Sequence, residues 1–179
     1  PCLSYAIRKF RTEGGIILTA SHNPAKYNGY KCYDANGYQM TDEEAAETYE
    51  YIKKVDYFTG IKTMDFDEAV SKGLIEYMGQ DVIESFLDEV QKQCVNPGIC
   101  EKADLKVIYT PLNGTGNKPV RKILDRIGIK DVYVVPEQEN PNGNFPTCPY
   151  PNPEIRQAFE LALKAAEERG ADILLATDR

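Results

Sequence analysis

Three short apolar runs, separated by two helical segments, constrain the fold more than any other feature. Leu105 to Tyr109, Val132 to Val135 and Ile173 to Ala176 are continuous enough to be strands buried on both faces. Between the first two runs, a helix fits residues 118–127 and ends at Gly128 in the C′ position. Between the last two, a long Pro/Asn-rich loop covers 136–152. A helix over 153–169 follows it, with Asn152 as N-cap, Pro153 at N1 and Gly170 as its stop. The order strand, helix, strand, helix, strand dictates parallel pairing through right-handed crossovers, with helices covering the sheet.

The chain before this block is also α/β. Leu3, Ala6, Ile7 and Phe10 form one helical stripe over residues 3–11, which Gly14-Gly15 breaks. Ile16-Ile17-Leu18 reads as a short buried strand and Tyr30 to Tyr33 as a second, closed by the turn Asp34-Ala35-Asn36-Gly37. Thr41 with Glu44 is a capping box opening a helix to about Lys54. Residues 56–78 are irregular, with turns at Gly60 and Gly73. A helix over 80–94 buries Val82, Ile83, Phe86, Leu87 and Val90, and Asn96-Pro97-Gly98 ends it. The division falls near residue 78, giving two α/β domains with mixed or parallel sheets, 1–77 and 78–179.

Charge and composition then remove whole classes of function. Twenty-one Lys+Arg against 28 Asp+Glu give a net charge of −7, the wrong sign for a general nucleic-acid binder. No apolar run approaches the roughly 18 residues that span a bilayer, so no membrane partner is expected. The five cysteines are irregularly spaced and His22 is the sole histidine, a poor basis for a Cys/His metal centre. Free thiols in the reducing cytoplasm are the expectation. A start at Pro1 and an end at Asp178-Arg179, just past a strand, read as a portion of a larger protein.

The chemistry concentrates in the loop Thr19-Ala20-Ser21-His22-Asn23-Pro24, which follows the first strand. Ligands of open α/β sheets sit beyond the carboxyl ends of strands, and polar loop residues on a rigid strand are often functional. Taken without further context, the same residues also suit an ordinary Asx/Ser-rich turn.

This loop, followed by Tyr27-Asn28-Gly29-Tyr30-Lys31, resembles the active-site serine loop of the α-D-phosphohexomutases, the phosphoglucomutase/phosphomannomutase family. The turn Thr110-Pro111-Leu112-Asn113-Gly114-Thr115-Gly116, the stretch Asn152-Pro153-Glu154 and the run Ile173 to Asp178 resemble that family's second domain. The resemblance implies that Ser21 carries a phosphoryl group, donates it to a sugar phosphate and regains one from the bisphosphorylated intermediate. It implies Lys31 as general acid/base, His22 as a group positioning the phosphate, and Asn23 and Arg179 as phosphate-binding residues. It also implies a Mg²⁺ held by Ser21 and Asp178, glucose 1,6-bisphosphate as activator and phosphoryl donor, and two further domains, the family's third and fourth. Without those domains the chain is expected to turn nothing over.

The family's metal loop runs D-x-D-x-D-R, whereas here Asp178 is followed at once by Arg179. Asp178 is then either the first aspartate of that loop or its last. One carboxylate alone does not build a Mg²⁺ site. Asn113-Gly114-Thr115-Gly116 lacks the ending of a phosphate-binding P-loop and reads as a tight turn requiring glycine geometry. Interconversion of hexose 1- and 6-phosphates, of glucose or mannose, is the leading expectation. A phosphopentomutase, a phosphoglucosamine mutase or a non-catalytic α/β binding module are the alternatives.

Overall fold

In the computed structural model, which describes residues 1–178, the three apolar runs pair as one parallel sheet. Strands β3 (Lys106–Thr110), β4 (Asp131–Val134) and β5 (Ile173–Ala176) lie in the order β4-β3-β5. Val107 pairs with Val132 on one side and Ile173 on the other, and Tyr109 with Val134 and Leu175. The central strand is the most deeply buried, with Val107, Ile108, Tyr109 and Thr110 each at most 1% exposed.

Alternation along β3 sends successive side chains to opposite faces. Val107 packs with Leu124 and Ile129, which lie on and just beyond α6 (Asn117–Arg126). Ile108 packs with Val135 and with Ala162 of α8 (Glu160–Arg169). One helix therefore covers each face, as strands apolar on both sides require. Gly128 and Gly170 take φ +98 and +60 just past these helices.

By internal contacts the chain forms two units: Pro1–Ile17 with Lys31–Glu84, and Leu18–Tyr30 with the chain from Ser85 onward. The first contains α1 (Cys2–Phe10), most of the paired strands β1 (Gly14–Leu18) and β2 (Tyr30–Asp34), α2 (Asp42–Ile52) and α3 (Phe66–Ser71). Ala6 and Ile7 are the buried residues of α1, and α2 opens with the Thr41/Glu44 capping box. Helix α4 (Gln80–Gln91) runs across the division, followed by α5 (Ile99–Ala103).

Several expectations need correction. Gly14 and Gly15 begin β1 rather than forming a break. Ile16 and Leu18 are more than half exposed, because among the described residues β1 pairs with β2 alone and a two-stranded ribbon cannot cover both faces. In α4, Val82 and Leu87 are buried, but Val90 is 37% exposed. The 56–78 stretch contains α3, capped by the Asp65 carboxylate accepting from the Glu68 N–H. The loop after β4 begins with a short helix, α7 (Pro136–Glu139).

The helix expected over 153–169 starts late. The Asn152 side chain accepts from the Glu154 N–H, its carbonyl accepts from the Ile155 N–H, and Ile155 is extended. That turn satisfies the first N–H groups locally, so a 3₁₀ turn (Arg156–Phe159) precedes α8.

Candidate functional site

The serine loop is closed at its neck by one backbone bond, from the Thr19 N–H to the Gly29 carbonyl at 3.0 Å. Gly29 is required there by close approach: a Cβ on it would lie 2.2 Å from the Thr19 carbonyl oxygen. Inside the neck, the Asn23 N–H donates to the Ala20 carbonyl and the Tyr27 N–H to the Pro24 carbonyl, making two successive turns. Gly29→Ala is expected to open the neck. Amide exchange of the Thr19 N–H should rise by at least about tenfold, while that of the β3 amides stays unchanged.

Ser21 occupies the first turn with φ +52, left-handed for a residue that carries a Cβ. Such a conformation costs about 1–2 kcal/mol and persists where the surroundings impose it. Here the Ser21 N–H is held by the Thr19 hydroxyl at 3.0 Å. The turn presents the Ser21 hydroxyl outward, where it donates to Asp178 Oδ2 at 3.0 Å, joining residues 157 positions apart. Asp178 lies two residues past the end of β5, so the carboxyl end of that strand and the serine loop converge in one place, both within the second unit.

His22 Nδ1 lies 3.6 Å from the same Asp178 oxygen and 3.5 Å from Ser21 Oγ. In a Ser-His-Asp triad the imidazole stands between hydroxyl and carboxylate. Here the carboxylate meets the hydroxyl directly and the imidazole flanks both. The His22 and Asp178 side chains are 47% and 43% exposed. Exposed pairs of this kind stabilise a fold by about 0–1 kcal/mol, so folding stability does not account for the cluster.

Ser21 Oγ and Asp178 Oδ2 are hard oxygen donors of the kind Mg²⁺ takes. An octahedral Mg²⁺ with oxygens at about 2.0–2.1 Å sets neighbouring ligands about 2.9 Å apart. The 3.0 Å separation of the two atoms fits one edge of that polyhedron. Among the described residues no group of three His, Cys, Asp or Glu side chains converges. The remaining ligands would have to come from water, phosphate or further carboxylates.

Of the other residues singled out from the sequence, Asn23 stands exposed in the loop beside His22. Lys31, half-buried, lies on β2 in the first unit, and Arg179 lies outside the described residues.

The turn after β3 departs from expectation. The left-handed residues there are Leu112 and Asn113, with φ +49 and +58, and neither Gly114 nor Gly116 has a positive φ. A polar framework invisible in the sequence pattern supports them. The Thr110 hydroxyl donates to buried Gln138 Oε1 at 2.6 Å and accepts from the Leu112 N–H. The Gln138 carbonyl accepts from the Asn113 N–H at 2.8 Å, and the Asn113 side-chain amide donates to the Asn140 carbonyl. Gln138 sits in α7, too short a helix to show as periodicity, so only its burial reveals the role.

Comparison with known proteins gives the same outline. Residues 84–179 match the model of "Phosphoglucomutase/phosphomannomutase, alpha/beta/alpha domain II", and residues 1–58 match that of domain I. A phosphoglucomutase of Staphylococcus saprophyticus is 39% identical over 178 residues, covering 99% of this chain and 32% of that protein. A phosphoribomutase of Saccharomyces cerevisiae is 34% identical, covering 99% of this chain and 30% of that protein. A crystal structure assigned as a phosphomannomutase, from Thermus thermophilus, aligns with TM-score 0.67 at 25% identity. That alignment covers 99% of this chain and 37% of the other. The chain thus spans about a third of the length of the curated relatives it matches.

Proposed function

The chain belongs to the phosphoglucomutase/phosphomannomutase family, and on that premise we propose that it carries the phosphoryl-transfer site of a mutase interconverting hexose 1- and 6-phosphates. The observation that carries this reading is the contact of Ser21 Oγ with Asp178 Oδ2, on a loop turn held in left-handed geometry. Two α/β domains, divided near residue 78, would supply its residues.

Ser21 Oγ holds the transferable phosphoryl group. A hydroxyl of the bound sugar phosphate attacks the phosphorus, the P–Oγ bond breaks with its electron pair left on Ser21 Oγ, ready to attack in the return step, and the sugar leaves this step as a bisphosphate. Lys31 Nζ takes the proton that the attacking hydroxyl gives up. After the sugar reorients, its other phosphoryl group passes to Ser21 Oγ, and Lys31 returns the proton to the freed sugar oxygen. Glucose 1,6-bisphosphate primes the cycle by phosphorylating Ser21.

His22, Asn23 and Arg179 orient phosphate oxygens, with phosphoryl transfer asking mainly for positioning and charge stabilisation. Ser21 and Asp178 would hold Mg²⁺, which supplies charge neutralisation for the phosphoryl oxygens. The sugar hydroxyl reached in each step would depend on the two further domains.

No helix among the described residues is long and apolar enough to cross a membrane. The cysteines stand as free thiols, with Cys148 buried, which supports a place in the reducing cytoplasm. The phosphoribomutase relative favours one second reading, in which a pentose phosphate is the preferred substrate.

Assays of the full-length protein with glucose, mannose and ribose 1-phosphates test the proposal. Hexose 1-phosphate should be converted to 6-phosphate. A chelator should lower turnover by about 100-fold or more, reversibly on adding Mg²⁺. Failure to turn over any sugar phosphate would refute the reading, and full activity in excess chelator would refute its metal.

A further inference from the structure

Tyr109 is the largest fully buried side chain among the described residues, at 0% exposure in the middle strand of the sheet. A buried phenol needs a hydrogen-bond partner, and this one has the hydroxyl of Thr177, with Tyr109 Oη 2.8 Å from Thr177 Oγ1. Thr177 is the residue immediately before Asp178. Its N–H also donates to the Thr110 carbonyl at 3.2 Å, so its backbone and its side chain are both held from β3.

A third element closes on the pair. Gly116, at the N-terminal edge of α6, lies so near that a Cβ would stand 2.4 Å from Thr177 Oγ1 and 2.7 Å from Tyr109 Oη. Its own φ of −64 suits any residue, so glycine is needed there for this approach rather than for a turn. Burial pushes the Tyr109 phenol up from its ordinary pKa, which keeps the proton on this hydroxyl throughout the neutral range.

We propose that Tyr109 is a positioning residue: through Thr177 Oγ1, with Gly116 leaving the necessary space, it fixes the backbone from which Asp178 meets Ser21. This rests on the reading of Ser21 and Asp178 as the metal-holding pair of the transfer site. β5 itself ends at Ala176, two residues before Asp178. Anchoring the preceding residue at two points restricts where its carboxylate can stand. Partners that orient metal-ligating groups typically change metal affinity or activity by about 10- to 100-fold when removed.

The test uses the full-length protein, with Mn²⁺ as the probe, its binding read by electron paramagnetic resonance and its thermal midpoint by calorimetry. Tyr109→Phe keeps the ring and removes only the hydroxyl. It should weaken Mn²⁺ binding by at least about tenfold and lower kcat in step, with KM little changed. Thr177→Val should reproduce that loss, whereas Thr177→Ser, which keeps the hydroxyl, should stay near wild type. The Thr177 pair carries the test on its own if Tyr109→Phe fails to fold.

Asp178→Asn separates this inference from the reading beneath it. If Asp178→Asn loses Mn²⁺ while Tyr109→Phe and Thr177→Val bind it normally, the positioning role is overturned and the transfer site stands. If Asp178→Asn binds Mn²⁺ and turns over as wild type does, the underlying reading fails. Equal losses in Thr177→Ser and Thr177→Val would also overturn the role assigned to the hydroxyl pair.

Discussion

Ser21→Ala in the full-length protein is expected to lower mutase turnover by at least about 1,000-fold, because it removes the oxygen proposed to carry the phosphoryl group. The fold should not notice the change. Ser21 is only partly buried, and alanine meets the same left-handed backbone penalty as serine, so stability should move by no more than about 0.5 kcal/mol. Ser21→Gly sharpens the prediction. Glycine relieves the strain at φ +52 and should raise stability by up to about 1 kcal/mol while leaving the protein equally inactive. Chemical denaturation and a coupled assay measure both. A Ser21→Ala protein with ordinary turnover would remove the proposed carrier.

Lys31→Ala is expected to lower kcat by about 100- to 10,000-fold, the range that a positioned acid/base group supplies. KM should change far less, since the proposed role is proton movement at the attacking oxygen rather than binding. Lys31→Arg should not restore the rate, because a guanidinium does not give up its proton in the working pH range. A lysine that merely attracts phosphate would instead be replaced well by arginine, with the loss appearing in KM. Lys31 lies on β2, which pairs with the strand that leads into the serine loop, so its truncation removes no core contact of the parallel sheet.

The parts of the fold that were legible in the sequence are those with long or repeated signals. The three apolar runs, the glycines at 128 and 170 and the Thr41/Glu44 capping box each state a local preference that the chain obeys. Helices α3, α5 and α7 were missed because six, five and four residues are too few to establish a 3.6-residue period. Asp65 followed by Glu68 was a usable capping signal for α3.

The turn after β3 misled because glycine marks backbone freedom without stating whether it is used. Leu112 and Asn113 take the left-handed conformations, stabilised by Thr110 and Gln138, while Gly116 makes room for two hydroxyls. The site divides in the same way. A polar loop after a strand is local and readable, whereas the pairing of Ser21 with a carboxylate 157 residues later comes from the family resemblance alone, since no periodicity links them. Only the parallel sheet, by ending β5 beside that loop, brings the two oxygens within hydrogen-bond distance.

The most direct measurement follows one phosphoryl group through Ser21. The full-length protein is loaded from radiolabelled glucose 1,6-bisphosphate, freed of excess donor, and mixed with unlabelled glucose 1-phosphate, with the Ser21 peptide mapped by mass at each time point. The account predicts label on Ser21 and on no other residue, leaving for the sugar bisphosphate at least as fast as kcat. Label that never reaches Ser21, or that remains there through many turnovers, would contradict it.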